Sequence, residues 1–265
     1  MSLQLRINLL VIIFVFCCLV TCSSLAHQSD NEQFVNSVAK LKPSVVGVGV
    51  YSPLATVSQQ LHGTGFVVGD GSYIITNDHV ISIDLDKNIK STRVVFVPKG
   101  RQVRTISIEA IYRDATNDIA LLKIADKLTP VNLTQAATEI ADGTAIGITG
   151  FPIGAVLGLF PATHSGFVAA ITPNIIPAQN SNQLSEQFLN RINDPLLVYQ
   201  LDIVAYPGNS GSPVYVANTG DVFAVVNKVF VQDTRESAIS APSGITYAIP
   251  IKYVYALAAK NGVSL

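Results

Sequence analysis

Hydrophobic positions in this chain recur in many short runs, not in a few long ones. Near the start, Phe34, Val35, Val38 and Leu41 fall at roughly helical spacing, and Pro43 ends that helix because its nitrogen has no hydrogen to donate. Beyond it, apolar runs bounded by turn residues predict strands over Ser44–Val50, Gly65–Val68, Tyr73–Thr76, Val94–Val97, Val103–Tyr112 and Ile119–Ile124. A second set covers Thr144–Ile148, Gly166–Ile171, Leu197–Val204, Pro213–Val216, Val222–Val231 and Ile245–Ile249. Ile251–Lys260 returns to helical period and closes the pattern.

Many short strands with few helices indicate an all-β barrel or sandwich. The gap between the two sets, near 125–143, suggests two barrels. The longest polar interruption, Pro177–Asp194, is rich in Gln, Asn and Ser, and it predicts a functional or mobile loop with a short helix over Leu184–Ile192. Neither an internal repeat of residues nor a low-complexity tract is visible.

Composition narrows the function. Of 265 residues, 49% are hydrophobic and 13% charged, which excludes a disordered chain. A net charge of −1 offers no basic excess for nucleic acid. The first 26 residues stand apart. Arg6 is the only charge before an unbroken apolar run, Leu9–Val20, which is too short for the roughly 20 residues of a bilayer span. Small residues follow at Ser24-Leu25-Ala26, so residues 1–26 read as a secretory signal peptide cut after Ala26. An uncleaved anchor is the bland alternative. Another is a bacterial lipoprotein signal that would lipidate Cys22, although Thr21 departs from the small residue usual before that cysteine. All three cysteines (Cys17, Cys18, Cys22) lie in this leader. The exported body therefore relies on its core, with no disulfide and no Cys/His cluster for zinc.

Three segments carry candidate chemistry. In Tyr206-Pro207-Gly208-Asn209-Ser210-Gly211-Ser212-Pro213, a serine flanked by glycines can project its Oγ while backbone N–H groups converge beside it, as an oxyanion hole requires. The same letters also describe an ordinary turn between strands. Within Thr76-Asn77-Asp78-His79-Val80, His79 ends a strand pattern among apolar residues, where a lone histidine is more often a core residue. His27, His62 and His164 read as surface or loop residues. Asp118, just before the run Ile119–Ile124, would be partly buried and want a partner, or simply cap the strand.

Taken together, the order His79, Asp118, Ser210 is that of a chymotrypsin-type triad. TNDHV, NDIALLKI and PGNSGSP resemble the signatures of trypsin-like serine proteases, specifically the bacterial high-temperature-requirement (Htr/Deg) group; GTGFVV and SGITYAIPI resemble that group as well. The resemblance spans about residues 34–255. It implies a chymotrypsin-like double β-barrel with short N- and C-terminal helices. The divisions would be a removed signal peptide (1–26), an N-terminal helical segment (27–43), a first barrel (44–135), a second barrel (136–251) and a C-terminal helix (252–265). It further implies that Asp118 orients His79, that His79 activates Ser210, and that the N–H groups of Gly208 and Ser210 hold the oxyanion. Neither a metal nor another cofactor is implied. Partners would be polypeptide substrates in the periplasm or outside the cell, in protein quality control. A homotrimer built on N-terminal aromatics such as Phe34 is a further expectation.

The chain also departs from its relatives. Asn209 stands where zymogen-activated digestive proteases hold an aspartate, so activation by a new N-terminus is not expected. Ser212 replaces the second glycine of Gly-Asn-Ser-Gly-Gly. Only 14 residues follow Ile251, so no PDZ domain is expected. The specificity pocket would draw on Val204, Ala205 and Asn227, with Lys228 nearby, and no acid precedes Ser210 by six positions. That favours small or medium apolar side chains before the cut. The alternative reading is a catalytically silent protease-like module that binds extended peptides.

Overall fold

The computed structural model describes residues 31–100, 102–153, 159–173, 196–229 and 244–265, without the side chains of residues 228 and 229. The leader with Cys22, the polar segment 177–194 with its expected helix, and the end of the run Val222–Val231 fall outside the described residues.

Residues 31–41 form helix α1, in the register that Phe34, Val38 and Leu41 set. Pro43 turns its end into a single 3-10 turn, Lys42–Ser44. Phe34, the aromatic expected at a trimer contact, is half-buried in its own chain and stacks on Tyr215 with ring centroids 6.4 Å apart.

Twelve strands follow: β1 (Val45–Tyr51), β2 (Gln59–Val68), β3 (Tyr73–Thr76), β4 (Thr92–Lys99), β5 (Gln102–Asp114) and β6 (Ile119–Ile124), then β7 (Ala145–Gly150), β8 (Ala162–Pro173), β9 (Leu197–Asp202), β10 (Pro213–Val216), β11 (Val222–Val229) and β12 (Ile245–Pro250). The first six close into a barrel in the order β1-β2-β3-β6-β5-β4, and the second six in the order β7-β8-β9-β12-β11-β10. Closure removes the free sheet edges that would otherwise invite pairing with other chains. The two orders are the same, so the repeat that the residues do not show exists in the topology. This is the chymotrypsin-like double β-barrel, with short helices at α1 and at Lys252–Lys260 (α3).

Several strands outrun their apolar letters. β2 starts at Gln59 because its polar first half pairs with β1, Gln59 opposite Tyr51. β5 extends to Asp114, opposite Ile119. Ladder hydrogen bonds set these ends, not hydrophobicity.

The core explains why many strands read as unbroken apolar runs instead of alternating ones. In β1, Val46 and Val48 fill the first barrel, whereas Val45 faces a seam shared with the second. In β6, Ala120 and Leu122 point inward, and Ile119 and Leu121 point to the seam. Side chains alternate faces along a strand, and here both faces are dry. Tyr215, Val222, Val225 and Ile249 supply the seam from the second barrel, and α3 adds Val254, Leu257 and Ala258. Ile146, Ile148, Leu201, Val214 and Phe223 fill the second barrel itself. Each fully buried Leu, Ile, Val or Phe contributes about 1.5–3 kcal/mol, so the barrels are held as one body around the seam. Among the described residues, no helix is long and apolar enough to cross a membrane.

Candidate active site

His79 does not end a strand, as its apolar neighbourhood suggests. After β3 the chain turns into helix α2 (Asp78–Ile81), which carries His79 in its single turn. A helix this short cannot sustain itself, so tertiary contacts must hold it. Asp118 provides two of them. The His79 backbone N–H donates to Asp118 Oδ1 at 2.9 Å, and ring Nδ1 lies 2.7 Å from Asp118 Oδ2. A carboxylate only accepts, so the proton of the ring bond sits on Nδ1 and Nε2 keeps its lone pair. Asn77 Nδ2 donates to the Asp118 carbonyl at 3.0 Å.

Asp118 makes these bonds from an unusual backbone, with φ at 53°. That left-handed region suits Asp and Asn better than other side chains but still carries strain. Asp114 stabilises the turn leading to it, accepting from the Asn117 N–H at 3.1 Å and from Asn117 Nδ2 at 2.6 Å.

Ser210 arrives from the second barrel. A side-chain carbon added at Gly63 would lie 2.7 Å from Val80 Cγ2 and 2.9 Å from Ser210 O. The His79 helix and the Ser210 turn thus meet at one point on β2. The turn docks there through the Thr64 N–H, which donates to Ser210 O at 2.8 Å. Gly211, with φ at 84°, lies so close to Thr64 that a Cβ would sit 2.0 Å from its carbonyl oxygen. Only glycine fits both the angle and the gap.

The Ser210 hydroxyl is not bonded to His79. Its single proton goes to the carbonyl of Asn227 on β11, at 2.9 Å. The three carbonyls beside it are all engaged. Pro207 O accepts from the Ile153 N–H at 2.7 Å, Gly208 O from Thr64 Oγ1 at 2.7 Å, and Asn209 O from the Ser212 N–H at 3.0 Å. In a trans peptide the N–H points opposite the preceding C=O. The Pro207 and Asn209 bonds therefore fix the N–H groups of Gly208 and Ser210 on the side opposite those carbonyls, and neither donates to an acceptor among the described residues. Ile153 holds its clamp at φ 59°, strained for a β-branched residue.

Behind the serine, Asn209 and Ser212 are fully buried. Asn209 Oδ1 and Ser212 Oγ both press on Gly150, where a Cβ would meet them at 2.8 and 2.0 Å. The replacement of the usual glycine by Ser212 is thus accommodated by a missing side chain at the end of β7, the strand beside β10 in the same barrel.

Of the residues expected around a specificity pocket, Val204 is half-buried, Ala205 lies in the second-barrel core at 1% exposure, and Asn227 is buried. Two histidines read as surface or loop residues stand in strands instead: His62 in β2 and His164 in β8. His164 packs its ring 6.0 Å from that of Tyr206, and burial pushes it below the usual imidazole range.

Sequence reasoning missed Thr64, Ile153, Asp78 and Arg113. Arg113 Nε and Nη2 donate to the Asp78 carboxylate at 2.6 and 3.0 Å. The guanidinium holds Asp78 below the usual carboxylate range, and Asp78 in turn raises Arg113. Partners so far apart in the chain leave no local signal.

Two closed antiparallel barrels with a histidine–aspartate pair on one and a serine turn on the other define a trypsin-like architecture. The model of the trypsin-like peptidase domain matches residues 63–225, and the chain belongs to that family. Among curated relatives, a probable periplasmic serine endoprotease DegP-like from Hahella chejuensis is 28% identical over 193 residues, covering 72% of this chain and 34% of the relative. The magnetosome formation protease MamE from Paramagnetospirillum magneticum is 28% identical over 77% of this chain and 24% of its own length. The chain therefore spans about a third or less of these relatives. Among solved structures, Deg5 superposes with a TM-score of 0.57 at 25% identity, over 85% of this chain and 91% of that one. The active form of the Rv3671c protease from M. tuberculosis gives 0.61 at 19% identity, over 86% and 85%, a likeness of fold.

Proposed function

We propose that this chain is an exported serine endopeptidase that hydrolyses peptide bonds of unfolded or damaged proteins through Ser210, His79 and Asp118. The observation that carries this reading is the pair of hydrogen bonds from His79 to Asp118, which holds Nδ1 toward the carboxylate and leaves Nε2 to serve Ser210 as base.

In this mechanism, rotation about the Cα–Cβ bond of Ser210 breaks the link to Asn227 O and aims the hydroxyl at His79. Oγ attacks the peptide carbonyl carbon as its proton passes to Nε2. The carbonyl oxygen becomes an oxyanion held by the N–H groups of Gly208 and Ser210, each such donor being worth about 3–4 kcal/mol in related chemistry. His79 then returns the proton to the leaving nitrogen, the C–N bond breaks, and water hydrolyses the acyl-enzyme by the same route reversed. Asp118 fixes the ring and stabilises its protonated form. Val204, in place of an acid near the pocket, favours small or medium apolar side chains before the cut. The relatives named periplasmic support export to that compartment.

The bond from Ser210 to Asn227 O favours a second reading, in which the serine stays parked and the protein binds extended peptides without cutting them. A fluorophosphonate probe separates the two. The endopeptidase reading expects covalent labelling of the wild type, cleavage of casein, and loss of both in Ser210→Ala. A folded wild type that takes no label and leaves casein intact would overturn it in favour of the silent module.

A further inference from the structure

We infer that Asp78 and Arg113 form a positioning pair for His79, tying the helix that carries the base to the strand that delivers Asp118. The inference rests on the endopeptidase reading for its kinetic test, and on geometry for its argument.

Asp78 is the residue before His79, and its side chain is only 9% exposed. Arg113 sits on β5, at the start of the turn that presents Asp118. The guanidinium meets the carboxylate in a fork, Nε to Oδ1 at 2.6 Å and Nη2 to Oδ2 at 3.0 Å. Such a bidentate bond fixes direction as well as distance. Arg113 Nη2 also donates to Ser82 Oγ, and Ser82 Oγ donates to the Asp78 carbonyl at 2.7 Å. One guanidinium therefore grips both ends of the single helical turn. From β4, Arg93 adds a second grip, donating to the carbonyls of Ile81 and Ile83, each at 2.6 Å.

A one-turn helix has no internal stability to resist rotation. If it turned by a small angle, Nδ1 would leave Asp118 and Nε2 would miss the serine. The Asp78–Arg113 fork opposes that rotation through a second point of attachment, one residue before the His79–Asp118 bonds. It acts through His79 and touches no substrate atom.

The pair also balances charge beside the base. Among the described residues, the charged groups bonded to His79 or to its helix are Asp118 on its turn, Asp78 on α2, Arg113 on β5 and, at the end of α2, Arg93 on β4; Ser210 and Asn227, from the second barrel, are neutral. Removing one member of the fork leaves the other uncompensated. Arg113→Gln leaves an extra negative charge next to the imidazole, which favours its protonated form. Asp78→Asn leaves an extra positive charge, which disfavours it. The two variants should move the acid limb of kcat/KM in opposite directions, by about half a pH unit each.

The experiment measures pH profiles of kcat/KM and fluorophosphonate labelling rates for the wild type, Asp78→Asn, Arg113→Gln and Arg113→Lys. Arg104→Gln, which breaks the exposed Arg104–Asp126 pair, serves as a control. Circular dichroism and melting check folding. The expected result is a kcat loss on the order of 10²-fold in Arg113→Gln, as for a misplaced catalytic group, with KM little changed and partial recovery in Arg113→Lys. Acid limbs should shift up in Arg113→Gln and down in Asp78→Asn, and stay in place in Arg104→Gln. Unshifted limbs, or limbs shifted the same way, with wild-type rates would overturn the proposal. An unlabelled wild type would instead sink the endopeptidase reading. The NMR titration of the His79 ring then reads the pair directly, and identical titrations in all variants would refute it. If Arg113→Gln fails to fold, Asp78→Asn and Arg113→Lys carry the same comparison.

Discussion

Thr64, on the first barrel, donates its hydroxyl proton to the carbonyl of Gly208, on the second, across 2.7 Å. Thr64 Oγ1 in turn accepts from the Phe151 N–H at 3.1 Å, and the Thr64 carbonyl accepts from Thr76 Oγ1 at 2.7 Å. One threonine thus fixes the peptide that lies between the two N–H groups of the proposed oxyanion hole, and is itself held from two sides. Thr64→Val keeps the shape and removes the proton. We expect a kcat loss of roughly fivefold to tenfold, the equivalent of about 1 kcal/mol, with KM nearly unchanged. Steady-state kinetics on a peptide ester checks this, and a purely KM-based defect would argue against the orienting role.

Asp118→Asn swaps an acceptor for a group that can donate to Nδ1. The proton would then move to Nε2, where it blocks the base. A kcat loss on the order of 10⁴-fold is expected, as for the equivalent change in other triads. A crystal structure should show the ring still in place. Near-normal turnover in a correctly folded variant would remove Asp118 from the mechanism.

Gly150→Ala forces a methyl against Ser212 Oγ, and the expected cost is about 1–3 kcal/mol from overpacking. Ser212→Gly should restore part of it in the double variant, because it removes the nearest atom the methyl would meet while Asn209 Oδ1 and Thr64 Oγ1 stay at 2.8 and 2.9 Å. Chemical denaturation of the four proteins tests the coupling. Strict additivity would mean that Gly150 and Ser212 do not constrain each other.

His164 ties stability to pH. Burial lowers its proton affinity in the fold, from an ordinary value of 6.5, so the unfolded chain takes up the proton more readily. Its contribution is complete above about 6.5 and is lost as pH falls through the lower folded value. Melting temperature should therefore drop on acidification in that window, and His164→Phe should flatten the drop. An identical pH dependence in the variant would assign the effect to another group.

Much of this was legible in the letters. TNDHV, NDIALLKI and PGNSGSP name the three proposed residues in order, and the apolar runs find the strands of both barrels. The helix at His79 was not legible, because Val80 and Ile81 pack against the first-barrel core as strand residues would. The ends of β2 and β5 were hidden for a related reason: polar residues there earn their place through ladder bonds. Nor could spacing reveal that the Ser210 proton goes to Asn227 O, since a hydroxyl rotamer depends on which carbonyl the fold brings near. The clamps from Thr64, Ile153 and Arg113 join positions distant in the chain, and only closed barrels bring them together.

The docking of Ser210 on Thr64 has a consequence for a chain being born. The ribosome finishes the half containing His79 and Asp118 well before it reaches the serine. On the proposed mechanism, a partly made molecule would hold a base with nothing to deprotonate, and the serine would take its place only when the later half settles onto β2. For the proposed endopeptidase, birth order alone would keep the blade sheathed until the whole body has taken shape.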